Sequence, residues 1–158
     1  MTSTGRYVNA VTDAHVARLH TLLSTPGVVT RAVRKLGDAD RTFSMLDIAL
    51  RRGGPVPACW AVSAQVTGDV QELEHADELH DAMSETLRTT GNASVCLTAL
   101  REAVRAWRAL DSHLVDGGVL PSPWSRQAFP RVPRVSSALP VARCTTQGLV
   151  GGTDGVSQ

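Results

Sequence analysis

A stretch that occurs twice decides the fold of this chain: residues 39–60 are ADRTFSMLDIALRRGGPVPACW, and residues 103–124 are AVRAWRALDSHLVDGGVLPSPW. Aligned 64 positions apart without a gap, nine of these twenty-two residues are identical. The shared positions are an Ala, an Arg, a Leu-Asp pair, a second Leu, a Gly-Gly pair, a Pro and a Trp. An internal match of this kind is typical of a protein built by doubling one supersecondary unit.

Each copy predicts a helix that ends at a diglycine, after which the chain turns back on itself. Glycine supplies the positive φ that ends a helix, and proline stiffens the turn. We expect Trp60 and Trp124 to be lids on opposite ends of the bundle, each over the final turns of its own helix. Asp47 and Asp111 are placed to accept hydrogen bonds from the loop N–H groups or from the indole N–H. The repeat element comprises Phe43, Asp47, Gly53, Gly54, Pro57 and Trp60 in the first copy and Trp107, Asp111, Gly117, Gly118, Pro121 and Trp124 in the second.

The same aromatic residues allow a second interpretation. If they were exposed, Phe43 or Trp107 and the neighbouring tryptophan would form a surface groove that grips a partner helix or a flat ligand.

The 64-residue offset extends upstream and sets the predicted domain organisation. Repeat one spans 11–60 and repeat two spans 75–124. We predict an all-α fold in which two tandem helical hairpins form a pseudo-two-fold four-helix bundle over 11–124, because one hairpin cannot bury both its faces. Residues 1–10 are predicted to be a flexible N-terminal arm. The proline-rich segment 125–158 lacks an apolar period and is predicted to be a disordered tail.

Capping signals and apolar periods place the four helices. Thr12 is the expected N-cap of the first helix, with Val11 and Val16 as its hydrophobic staple. Residues 26–51 form either one long kinked helix or two collinear pieces. Asp69 opens a capping box for the third helix, and the fourth helix ends near residue 115. The predicted inward-facing residues of the second and third helices are Val28, Val29, Ala32, Val33, Leu36, Phe43, Leu46, Leu50, Val70, Leu73, Ala76, Leu79, Met83 and Leu87.

Charge and cysteine content restrict the functional class. The chain has 158 residues and a net charge of +1, but residues 69–91 carry seven acids against one arginine. This asymmetry favours electrostatic complementarity within the fold or with a partner. Three cysteines without motif spacing indicate free thiols in a reducing compartment. Without an apolar run long enough to cross a bilayer, we expect a cytoplasmic protein that has no membrane partner.

Candidate catalytic and metal-ligating groups are weak. Glu72 and His75, like Asp77 and His80, have the carboxylate-x-x-His spacing of helical di-metal sites. However, the two histidines lie about 140° apart around one helix and cannot share one metal, so a solvated acidic face is the favoured interpretation. Cys59, the other cysteines and the serines lack a nucleophile signature. We therefore predict no enzyme, metal or cofactor; a small metal-dependent hydrolase is the remaining catalytic alternative.

Two arginine-rich stripes suggest a nucleic-acid interface. They consist of Arg31, Arg34 and Lys35 on the second helix and of Arg101, Arg105 and Arg108 on the fourth. Such side chains can contact phosphates. Against this, the acidic third helix would repel a duplex, and no helix pair has convincing helix-turn-helix spacing. Nucleic acid is therefore the alternative to a protein partner. A Pro-x-x-Pro segment at 130–133 adds a possible polyproline ligand.

The repeated motif also resembles an element in known proteins. A helix of pattern Arg-x-aromatic-x-x-Leu-Asp-x-x-Leu followed by Gly-Gly-x-(Val/Leu)-Pro-x-x-Trp is similar to one in small helical proteins of actinobacteria and of their phages and plasmids. The resemblance covers 39–60 and 103–124 only. It implies an accessory protein of a mobile element and no particular activity.

We therefore expect a non-enzymatic protein that binds another protein or pairs with a second copy of itself. In that contact, the basic first hairpin would meet an acidic surface such as the third helix.

Overall fold

The computed structural model describes residues 4–60 and 69–125, with side chains from Ala10 onward, and these residues form helices without strands. The prediction of an all-α protein is thus confirmed. The helices are α1 (Thr4–Leu22), α2 (Ala32–Arg51), α3 (Val70–Leu87), α4 (Ala93–Val115) and the short α5 (Ser122–Ser125), and a 3₁₀ turn (Val29–Arg31) leads into α2. No helix in this part of the chain is both long and apolar enough to cross a bilayer.

The first helix begins earlier than the sequence predicted. Because α1 starts at Thr4, residues 4–10 are helical instead of belonging to a flexible arm, and residues 1–3 lie outside the described part. Thr12 therefore lies inside the helix and does not cap it. Its hydroxyl donates to the Pro55 carbonyl at 3.0 Å, and Val11 is 54 % exposed, so the predicted staple is absent. The Thr12 hydroxyl, which was expected to cap the helix, instead bonds the loop that follows α2.

The helices α1 and α2 form an antiparallel hairpin. At the turn, Gly27 takes φ 78° and the Lys35 ammonium donates to the Thr25 carbonyl. At the other end, Thr12 reaches Pro55, just beyond the end of α2. The helix α2 begins later than predicted and continues without a break through Gly37, so it is one helix and not two collinear pieces.

The helices α3 and α4 form the second hairpin. Asn92 caps α4 by accepting a hydrogen bond from Val95 N at 3.0 Å. Asp69 stands at the N-cap position of α3, but its side chain makes no capping bond, so the predicted capping box does not form.

The core contains fewer of the predicted apolar residues of the second and third helices than expected. Val28, Val29, Val33, Val70 and Leu73 were predicted to face inward but are between 37 and 69 % exposed. A helical period marks a face but does not show where along the helix that face stops being covered. The buried core residues are Val16, Leu19, Leu23, Ala32, Leu36, Ala39, Phe43, Leu46, Leu50, Trp60, Ala76, Met83, Leu87, Cys96, Ala99, Leu100, Ala103, Val104, Trp107, Leu110, Leu114 and Trp124.

The end of the described chain was only partly anticipated. The short helix α5, which carries the buried Trp124, was not predicted because four residues are too few for a period. The tail prediction for 125–158 falls outside the described residues beyond Ser125.

Candidate functional site

Both diglycines end their helices with the same pair of backbone hydrogen bonds. Gly53 has φ 79° and donates to the Leu50 carbonyl at 3.1 Å, while Gly117 has φ 90° and donates to the Leu114 carbonyl at 3.4 Å. The following glycines donate further back: Gly54 N to Ala49 O at 2.9 Å and Gly118 N to His113 O at 2.8 Å. A φ in this range favours glycine, which explains why the first glycine stands at both exits.

An aspartate of the preceding helix then holds each return loop. Asp13 on α1 accepts from Ala58 N at 2.7 Å. Asp77 on α3 accepts from Ser122 N at 2.6 Å and from the Ser122 hydroxyl at 2.7 Å. The interpretation of Asp77 as part of a solvated acidic face is therefore wrong. Just beyond these contacts, the backbone N–H of each tryptophan donates to the carbonyl of the fully buried proline three residues earlier.

The two indoles cross from one hairpin to the other. Trp60 Nε1 donates to Asp111 Oδ1 at 2.9 Å, and Trp124 Nε1 donates to Asp47 Oδ1 at 2.7 Å. The indole rings stack with centroids 5.7 Å apart and planes 14° apart. The expectation of lids at opposite ends, each over its own helix, is therefore wrong. We call these four residues the tryptophan–aspartate cross-pair.

Asp47 receives more donors than its counterpart. Oδ1 also accepts from His80 Nε2 at 2.9 Å, and Oδ2 accepts from Arg51 Nε at 2.8 Å. Burial alone would raise the pKa of Asp47, but the hydrogen bonds from His80, Trp124 and Arg51 outweigh it and hold the pKa at about 2. Asp47 is therefore a carboxylate at neutral pH.

His80 is buried, although the sequence predicted it on the solvated face of the third helix. Its side chain is 3 % exposed, not on a solvated face, and its second ring nitrogen lies 3.4 Å from Asp81 Oδ1. A signal was present, because His80 lies four residues after buried Ala76 and three before buried Met83. The acidic residues around it hid that spacing.

The aromatic residues of the repeat surround the cross-pair. Phe43 packs 6.3 Å from Trp124, and Trp107 packs 6.5 Å from Trp60, measured between ring centroids. All four rings are at least 95 % buried. The alternative in which they grip a partner at the surface is therefore wrong.

The polar groups of this cluster bond to one another. The carboxylate of Asp47 and the imidazole of His80 are partnered by other side chains, and the imidazole is closed to solvent. The pKa of the Cys59 thiol is raised, first by its partial burial and then by the Asp111 and Asp13 carboxylates. The residue as a whole is exposed, but its side chain is a protonated thiol and not a reactive thiolate at neutral pH. Among the described residues, no group of three or more side chains could hold a metal ion.

The two predicted basic stripes meet at the turn between α1 and α2. Arg108 on α4 donates to the Ser24 carbonyl at 3.1 Å, and Lys35 on α2 donates to the neighbouring Thr25 carbonyl. Arg105 pairs with Glu102 on its own helix. The remaining members of the stripes, Arg31, Arg34 and Arg101, are exposed.

The outward surface of α2 combines positive charge with apolar side chains. We call Arg34, Arg41, Met45, Ile48 and Arg52 the α2 outer face; all five are exposed, with Met45 at 51 % and Ile48 at 44 %.

The outward surface of α3 has the opposite charge. We call Glu74, Glu78, Asp81 and Glu85 the α3 acidic face; all four are exposed. They lie on the side of α3 opposite its buried residues.

A shallow depression of about 440 Å³ lies where α3 meets α4. Its lining residues are Thr86, Thr89, Ser94, Val95, Thr98, Ala99 and Glu102. Two of its hydroxyls, on Thr86 and Thr98, already donate to carbonyls of their own helices. The depression contains none of the residues that the sequence singled out.

Comparison with known proteins gives no relative from which a role could be transferred: no family model, curated protein or solved structure matches the chain.

Proposed function

We propose that this protein is a non-enzymatic interaction protein whose α2 outer face binds a second copy of the same chain. The observation that carries the proposal is the exposure of Met45 and Ile48 side by side among arginines. These two positions are one turn apart, so they present one continuous apolar strip. Large apolar side chains rimmed by charge are typical of protein-binding surfaces.

The matched helix makes this strip informative. The positions 64 residues after Met45 and Ile48 are Ala109 and Ser112 on α4, which are also exposed. The α2 arginines at 34 and 52 correspond to Thr98 and Asp116. An outward position that serves only solubility does not require large apolar residues, so the difference supports binding on the α2 side.

The architecture in which this surface sits is, we propose, a duplicated hairpin with pseudo-two-fold symmetry. Supporting this are contacts that recur 64 residues apart: the two glycine exits, the two aspartate-held loops and the two crossed indole bonds. Each indole depends on the carboxylate of the other hairpin, so the two repeats form one bundle instead of two independent units. That bundle is a rigid support for the α2 outer face.

The test is the mass of the full chain across a concentration series, by sedimentation or by light scattering after gel filtration. We expect the mass to rise from monomer towards dimer as concentration increases. In the double variant Met45→Gln/Ile48→Gln, the midpoint should move to at least about a hundredfold higher concentration, because each of the two apolar side chains removed from the contact costs about 1.5 kcal/mol or more.

The matched control is Ala109→Gln/Ser112→Gln on α4, which should leave the midpoint unchanged. A wild-type chain that stays monomeric at the highest concentration would overturn the proposal. So would a Met45/Ile48 variant that associates as strongly as the wild type.

The second candidate function is nucleic-acid binding. The observation that favours it is that one member of each basic stripe, Arg108 on α4 and Lys35 on α2, donates to the same turn at Ser24 and Thr25. Binding to random duplex DNA at two salt concentrations tests it, since phosphate contacts weaken steeply with salt. Absence of binding at low salt removes this candidate.

The proposed setting is a reducing cytoplasm, in keeping with the free thiols of Cys59 and Cys96. The resemblance of the repeated motif to proteins of phages and plasmids makes an accessory role in a mobile element part of the same proposal.

A further inference from the structure

We infer that the α2 outer face of one copy packs against the α3 acidic face of the second copy. This inference rests on the proposed self-association and names the partner surface within it. Its basis is a comparison of charge, spacing and position on the two helices.

Charge is the first argument. The α2 outer face contains three arginines, at 34, 41 and 52. The partly exposed Asp38 lies in the same row and pairs with Arg41 at 3.7 Å, so the net charge of this side of α2 stays positive. The α3 acidic face contains four carboxylates and no base. Opposite charges across an interface steer association and fix register.

Spacing is the second argument. Successive members of the α3 acidic face are four, three and four residues apart, and Arg41, Met45, Ile48 and Arg52 on α2 repeat the same intervals. Intervals of three and four keep side chains in one row along a helix, as helices that pack side by side require. The two rows are also equal in length, so the arginines at the two ends of the α2 row can meet the glutamates at the two ends of the α3 row.

The matched helices supply the third argument. The positions on α1 that correspond to the four acids of α3 are Ala10, Ala14, Ala17 and Thr21, all exposed and none charged. The charged row is therefore present on α3 and absent from its counterpart α1, just as the basic and apolar row is present on α2 and reduced on α4. The basic and apolar row and the acidic row therefore lie in different halves of the chain.

The two faces do not satisfy each other within one molecule. In the described chain, Arg41 pairs with Asp38, and no ion pair joins an α2 arginine to Glu74, Glu78 or Glu85. The helices themselves are neighbours, joined through His80 and Asp47. A second copy turned by a two-fold rotation can thus place its α3 on this α2 and its α2 on this α3, which doubles the contact and closes the dimer.

Charge reversal on the full chain tests the inference. The α2 variant Arg41→Glu/Arg52→Glu places acids at both ends of the row on α2, and the α3 variant Glu74→Arg/Glu85→Arg places bases at both ends of the row on α3; in each variant the altered residues are eleven apart, and each meets a residue of the same sign on the second copy. Each should raise the dimer dissociation constant at least about tenfold, because like charges meet across the contact. The combined variant has exchanged charges and should return to within about threefold of wild type.

The matched control is Arg105→Glu, which alters the α4 position corresponding to Arg41 and should leave dimerisation unchanged. Every altered residue is exposed, and helical circular dichroism of each variant verifies that the fold is retained.

The outcomes separate the two proposals. Dimerisation that survives the α3 reversal, or a combined variant no better than the single-face variants, overturns the inference but leaves self-association through α2 standing. A wild-type chain that never dimerises overturns the proposed function itself.

Discussion

Asp47 and Asp111 occupy the same position of the repeat, yet their surroundings differ. Both accept an indole N–H from the other hairpin. Asp47 is also bound by buried His80 and by Arg51, whereas within residues 4–60 and 69–125 the one further partner of Asp111 is the half-exposed His20, with Nε2 at 3.5 Å. The comparison teaches that the crossed indole bond is the shared feature of the two halves. The additional donors belong to one half.

Removing each carboxylate is the strongest way to break this comparison. Asp47→Ala leaves His80 and Trp124 without their acceptor, so we expect it to lower the free energy of unfolding by about 3–5 kcal/mol. Asp111→Ala leaves mainly Trp60 unpaired and should cost about 1–3 kcal/mol. Denaturant unfolding of the two variants measures both values. Equal costs would show that His80 and Arg51 contribute little.

Acid unfolding sharpens the same contrast. The pKa of Asp47 is about 2 in the folded protein against an ordinary value of 3.8. As pH falls, Asp47 is therefore protonated in the unfolded chain at a higher pH than in the folded protein. Stability from this group is therefore fully present above pH 3.8 and is lost as pH falls towards 2. Asp47→Asn should show a smaller loss of stability over that window than wild type, measured by denaturant unfolding at successive pH values. An identical pH dependence would contradict this assignment.

Substitution of the second glycine should destabilise the two helix exits equally, whereas substitution of the two carboxylates should not. A Cβ at Gly54 would lie 2.6 Å from the Ala49 carbonyl oxygen, and one at Gly118 would meet the His113 carbonyl and ring. Gly54→Ala and Gly118→Ala should each cost about 1–3 kcal/mol. Gly37, inside α2, is the control because nothing lies within 4 Å of the place an added methyl group would take. Gly37→Ala should stabilise by about 0.5–1 kcal/mol, and thermal unfolding of the three variants checks both signs.

The smallest expected effect lies in the return loops. Asp77 accepts from both the N–H and the hydroxyl of Ser122, whereas Asp13 accepts only from the N–H of Ala58. Ser122→Ala should cost about 0.5–1.5 kcal/mol, and Ala58→Ser, which adds the missing hydroxyl, should stabilise by up to a similar amount. Equilibrium unfolding of the exchange pair measures the difference. Destabilisation by Ala58→Ser would show that the two loops are not equivalent in detail.

Local patterns predicted the helices because they depend on neighbours in sequence. The turn ending at Asn92 and the exits at Gly53 and Gly117 follow from residue types that permit their backbone geometry. The start of α1 at Thr4 was missed because its first turns lack a strong apolar period.

The candidate site was harder to predict because it is made of contacts between distant residues. The repeat marked Trp60 and Asp111 as important, but a tryptophan in sequence does not state which of two equivalent carboxylates its N–H will reach. His80 was missed because acidic neighbours masked its place on the buried side of α3. The acidic face of α3 was predicted from the sequence, whereas the exposed row of Met45 and Ile48 on α2 was not, because exposure depends on which neighbouring helices cover a position.

The stacked indoles have a spectroscopic consequence. Trp60 and Trp124 come from different hairpins, are nearly parallel and are shielded from solvent. Electronic transitions of two chromophores held this closely couple, so the near-ultraviolet circular dichroism of the stacked pair differs from that of two separate indoles. That signal exists only while the hairpins are joined, so the chain carries a native optical reporter of its own assembly that needs no label.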